Sequence, residues 1–173
     1  MAYACDVQLL RGPDGHYVIK DFALFETNLS RDEFKVASFA PPCPKLALPP
    51  CYVFQNNYLT QKIHGLTWDS GVTPYESMED TLRQFTEFAT DLYIKGEEKR
   101  KLLQGLLPHL NVVNIETLGC PAFKKLPKLW APCNSEIHTV NPQVTCAAKN
   151  AKRIGLWLLF CGASMKPNGP ACP

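Results

Sequence analysis

At 173 residues, 46% hydrophobic and 20% charged, the chain is long enough to bury one core unaided, and no stretch approaches the roughly 18 apolar residues of a membrane span. The net charge of +2 is uneven: residues 1–94 hold 7 Lys/Arg against 12 Asp/Glu, and residues 95–173 hold 11 against 4. These values predict one globular domain with no membrane contact, whose basic second half fits either a polyanion partner or ordinary solvated helix faces.

The first six residues lack a basic n-region and reach Asp6 before an apolar run develops, which argues against a secretory leader and for an intracellular protein, cytoplasmic or nuclear. There the eight cysteines stay reduced or bind metal, and Cys5, Cys51 and Cys161 read as small buried hydrophobes. Apolar runs at 3–10 and 17–25 flank Arg11-Gly12-Pro13-Asp14-Gly15, a turn signal, and predict a β-hairpin followed by a third strand at 33–39. The proline-rich stretch 40–50 predicts an extended loop.

A helix over 52–63 should end at His64-Gly65. Thr73-Pro74-Tyr75-Glu76 has the form of a capping box and opens a helix with Tyr75, Met78, Leu82, Phe85 and Ala89 on one face. A strand at 91–94, a basic helix turning Leu102, Leu103, Leu106 and Leu107 inward, and a strand at 111–116 follow. A last helix, capped at Asn141-Pro142, runs to 160 with Val144, Ala147, Ala148, Ala151, Ile154 and Leu158 as its core face. The expected domain covers 1–161 and the expected disordered tail 162–173; the element order is α/β, a mixed five-stranded sheet flanked by helices.

This order, with Asp6-Val7-Gln8 on the first strand and His64-Gly65-Leu66-Thr67 ahead of Thr73-Pro74-Tyr75, resembles the ribonuclease-H-like proofreading exonucleases of the DEDD type. The resemblance implies that fold, and it implies catalytic acids that this chain lacks. Gln8 stands where the family has Glu, residues 95–100 replace the His-Asn…Asp segment, and Cys146 falls near the final aspartate. Asp6 and Gln8 are therefore a remnant, with no catalytic set around them. Glu97 and Glu98, flanked by lysines, read as a surface helix face.

The same departures resemble the ribonuclease-H-like domain of Maelstrom proteins, which act in small-RNA silencing, have lost the exonuclease acids and carry a zinc site with Cys and His in the C-terminal part of that domain. Other phrases, such as Gln55-Asn56-Asn57-Tyr58-Leu59, resemble uncharacterised proteins of arthropods and their mobile elements or viruses. The resemblance implies a structural Zn2+ held by Cys120, Cys133, His138 and Cys146, a closed four-ligand shell of thiolate and imidazole. Glu116 or His64 could replace Cys120; unligated core cysteines and a disulfide are the competing readings.

The leading functional reading is a non-catalytic domain that binds single-stranded RNA or a host protein, and the Maelstrom resemblance implies a link to small-RNA silencing or its suppression. Lys95, Lys99, Lys124, Lys125, Lys149 and Arg153 are the candidate nucleic-acid contacts. Trp68 and Trp130 could stack on bases, while Trp157 reads as core. A divergent metal-dependent nuclease and a structural protein–protein module are the alternatives.

Overall fold

The computed structural model describes residues 1–28, 33–131 and 144–162. Cys133, His138, the Asn141-Pro142 cap and the tail from 163 lie outside the described residues. Strands β1 (Ala2–Arg11), β2 (Tyr17–Glu26) and β3 (Phe34–Ser38) form an antiparallel meander, and β4 (Asp91–Ile94) and β5 (Asn111–Asn114) join parallel to β1. The order β3-β2-β1-β4-β5 is the expected mixed five-stranded sheet. Helices α1 (Pro50–Leu59), α2 (Met78–Phe85), α3 (Glu97–Leu106) and α4 (Ala147–Gly162) flank it, and no helix among the described residues is long and apolar enough to cross a membrane.

The central strand is buried on both faces, and its period of two sorts its residues. Tyr3, Cys5 and Val7 enter the main core with Leu82 of α2, Leu103 of α3 and Leu92 and Ile94 of β4. Ala4 faces the other way and packs with Ile154 and Trp157 of α4. Asp6 and Gln8 continue that second row. Helix α4 approaches the sheet closely because residue 155 is glycine: a Cβ there would sit 2.3 Å from Phe25 Cδ1 and 3.4 Å from the Ala4 Cβ.

Several local expectations give way to tertiary contacts. The Thr73 capping box does not form; Thr73 bridges to Phe39, its amide donates to the Ser38 carbonyl at 3.0 Å, and α2 begins only at Met78 after a 3-10 turn. The helix expected over 52–63 starts at Pro50 and passes into a π turn at Thr60–His64 before Gly65 ends it. Strand β5 stops at Asn114, whose side chain accepts from the Glu116 amide and starts a 3-10 turn over Ile115–Leu118. Of the three cysteines expected as buried hydrophobes, Cys5 is one, Cys51 is exposed on α1, and Cys161 is buried but disulfide-bonded.

Candidate functional site: a carboxylate closed by a lysine

The carboxyl ends of β1 and β4 border a cleft of about 700 Å³, at the point where the chain's connections diverge to either side of the sheet. A bulge in β2 lies opposite this end of β1: Gln8 pairs with Asp21 and Leu9 with Ile19, so Lys20 is the extra residue on β2. On the facing wall, Asn56 of α1 accepts from the Arg11 amide at 2.7 Å and donates to its carbonyl at 2.9 Å, fixing the end of β1 to the helix.

Asp6 lies beneath the cleft lining and is fully buried. Its Oδ1 accepts from Lys99 Nζ at 2.7 Å, and its Oδ2 accepts from Asn150 Nδ2 at 2.8 Å and from Gln8 Nε2 at 3.4 Å. The carboxylate is thus satisfied by one charge-assisted bond and two amides. Each partner has a positional cause. Gln8 shares the α4-facing row of β1 with Asp6. Lys99 precedes Leu103 by four residues and so lies on the inward face of α3. Asn150 sits on the inward face of α4 among Ala147, Ala151 and Ile154; its amide nitrogen is turned toward Asp6, and its Oδ1 accepts a long bond of 3.5 Å from Arg153.

Two groups neighbour Asp6: His64, which lines the cleft, and Cys5, which lies on the opposite face of β1 in the main core. His64 is buried with both ring nitrogens engaged: Nδ1 accepts from the Leu66 amide at 3.0 Å, so Nε2 carries the proton and donates to the Leu9 carbonyl at 3.1 Å. With both nitrogens on backbone groups, His64 holds the π turn against β1 and offers no lone pair to a metal. Burial pushes the Cys5 thiol well up, Asp6 adds to that, and Lys99 opposes it, so Cys5 stays protonated.

The cleft walls are aromatic. Phe54 and Tyr58 stand one turn apart on α1, 77% and 56% exposed, and Phe123 faces the cleft from the opposite segment. Arg11 lies 3.9 Å over the Tyr17 ring, and the Tyr17 hydroxyl donates to the Glu98 carboxylate. Glu97 takes the Arg100 guanidinium, which holds its carboxyl below the usual range. Both glutamates are surface residues, as the sequence reading has it.

Asp6 and Gln8 do come together, but the six basic residues do not form one patch. Lys99 is in the centre on Asp6. Lys95 is tied to Glu116 at 3.0 Å and to the Cys120 carbonyl at 3.3 Å, and Arg153 donates to the Pro127 carbonyl at 3.0 Å. Lys124 and Lys125 are exposed on a 3-10 turn beside Phe123, and Lys149 is half-buried on α4. Trp68 is buried, its indole nitrogen donating to the Cys43 carbonyl at 2.9 Å, so it is closed to base stacking; Trp130 is 77% exposed and Trp157 is core.

Of the four residues expected to bind zinc, Cys120 and Cys146 are described and are reduced thiols. Cys120 packs with Ile154, Trp157 and Cys161, donates to the Pro121 carbonyl at 3.6 Å and is pushed up by burial; Cys146 packs with Phe25, Ala147 and Ala148. Among the described residues, no group of three or more His, Cys, Asp or Glu side chains is arranged to hold a metal.

A two-metal nuclease needs clustered anionic oxygens around both cations. The centre supplies one carboxylate, two amides and an ammonium, and this donor set does not fit a pair of divalent metals. Asn150 was the residue that sequence reasoning missed, having placed Cys146 near the final acid. Its signal was present: a polar side chain within the apolar stripe 147, 151, 154. No family model, no curated protein and no solved structure matches the chain.

Proposed function

We propose that the chain is a non-catalytic binding domain on a degenerate ribonuclease-H-like fold, and that its cleft takes single-stranded RNA. The observation that carries this reading is the closure of Asp6 by Lys99, Asn150 and Gln8 beneath an open aromatic cleft. The strand order β3-β2-β1-β4-β5, with β4 and β5 parallel to β1, supports the fold assignment. Bases stack on Phe54, Tyr58 and Phe123, and phosphates meet Lys124, Lys125 and Lys128 on the adjoining segment. The Maelstrom resemblance supplies the silencing context.

The test is fluorescence anisotropy with a labelled single-stranded RNA. Stacking contributes about 1–3 kcal/mol per base, so Phe54→Ala with Tyr58→Ala should weaken binding by tenfold or more without changing the far-ultraviolet circular dichroism. The same strand should survive incubation with Mg2+ or Mn2+. Absence of binding at low salt would favour the protein-interaction module, and metal-dependent digestion abolished by Asp6→Ala would favour the divergent nuclease.

The zinc reading is a separate proposal, resting on Cys120 and Cys146 as buried thiols beside the resemblance. Metal analysis should find about one zinc per chain, and chelation should lower the melting temperature because metal binding is coupled to folding. A metal-free protein of equal stability removes it.

A further inference from the structure

The mismatch between the fold's usual metal chemistry and this centre has a specific form. Asp6 has no exposed surface, yet an ammonium reaches it at 2.7 Å from a lysine whose side chain remains 26% exposed. Lys99 therefore touches both the buried carboxylate and the cleft, which it lines together with Gln8 and Asn150. An ammonium has three N–H donors, and Asp6 is the one acceptor within hydrogen-bonding distance of Lys99 among the described residues. The other donors are left for the cleft.

We propose that Lys99 is the resident cation of this cleft: it replaces a divalent metal in balancing Asp6, and its remaining donors receive an anionic phosphodiester oxygen of the ligand. Ligand binding then runs without divalent metal. A buried carboxylate must be balanced, and a covalently tethered ammonium does this permanently, whereas a bound metal comes and goes with its concentration. Gln8 and Asn150 agree with this arrangement. As amides they donate to Asp6 and add no second negative charge, which a single ammonium could not balance. The phosphodiester half of the proposal rests on the RNA reading; the cation half does not.

The two halves are tested separately. In the first, Mn2+ is titrated into the wild type and into Lys99→Met, with bound ion followed by electron paramagnetic resonance. The wild type should show no Asp6-dependent Mn2+. Lys99→Met should gain a Mn2+ site and a melting temperature that rises with Mn2+; if it is unfolded without metal, Mn2+ should restore its circular dichroism. A wild-type site lost in Asp6→Asn, or a Lys99→Met protein indifferent to Mn2+, overturns the resident cation.

In the second, RNA binding is compared in EDTA and in Mg2+, with Asp6→Asn/Lys99→Met as a neutral pair that keeps the floor uncharged. Affinity should be the same in both buffers and fall about tenfold in the neutral pair, the loss of a charge-assisted bond. Binding that requires Mg2+, or that the neutral pair leaves intact, overturns the phosphate anchor while the RNA reading stands. Absence of RNA binding in every buffer overturns the RNA reading and with it the anchor, and leaves the Mn2+ result to decide the cation.

Discussion

Lys20, the bulge residue of β2, is 1% exposed and donates to the Trp68 and Ser70 carbonyls at 2.7 and 2.6 Å. Burial lowers its pKa to about 8, with Asp21 and Asp69 opposing. A lysine in the unfolded chain holds its proton to about pH 10.4. Between those values the unfolded state binds a proton that the folded state has released, so this residue's contribution to stability rises with pH. Lys20→Met removes the titration. The stability of wild type minus that of Lys20→Met, from urea unfolding, should therefore increase between pH 7 and pH 10, by on the order of 2 kcal/mol. A pH-independent difference would contradict the lowered pKa. Taking the difference cancels the tyrosines and Cys5, which titrate in the same alkaline range.

Two helical glycines should respond in opposite directions to alanine. Gly155 of α4 faces the fully buried Phe25 ring, and a methyl group there must displace it. Overpacking costs about 1–3 kcal/mol, more than the up to about 1 kcal/mol that alanine gains over glycine by helix propensity. Gly155→Ala should lower stability and loosen Asn150 from Asp6. At Gly105 of α3 nothing lies within 4 Å of a Cβ, so Gly105→Ala should raise stability by up to about 1 kcal/mol. Thermal unfolding of the two variants checks the pair, and equal signs would show that α4 is not seated on glycine 155.

The same contrast explains what the sequence made legible. Periodicity marks the inward faces of α2, α3 and α4, because one buried face is enough to impose a pattern, whereas the hairpin strands, buried on both faces, are legible as apolar runs on either side of a turn signal. Thr73 misled because its backbone pairs with Phe39, a contact between distant segments that outweighs a local cap. The centre was half legible: Asp6 and Gln8 carry a motif, whereas Lys99 reads as one more residue of a charge run. Only the packing of α3 and α4 against β1 shows that Lys99 and Asn150 meet the same carboxylate.

At the scale of the molecule, the excess of basic residues after position 95 overstates the field available to a polyanion. Lys95 is paired with Glu116, Lys99 with Asp6 and Arg100 with Glu97, and these pairs present little net charge to the cleft. Next to Phe123 of the cleft wall runs the segment carrying Lys124, Lys125 and Lys128, all exposed, with the exposed Trp130 after them. Each phosphate neutralised on a single strand contributes a slope of roughly 0.7 in log affinity against log salt, so three lysines give roughly 2, about half of what six free contacts would give. Lys99 adds little to that slope, since Asp6 already balances it. Lys124→Glu with Lys125→Glu should flatten the salt dependence and weaken every sequence alike, while Phe54→Ala should weaken binding and leave the slope unchanged. A wild-type slope near 4, unaffected by reversing Lys124 and Lys125, would mean that the strand runs elsewhere, over the α4 face with Lys149.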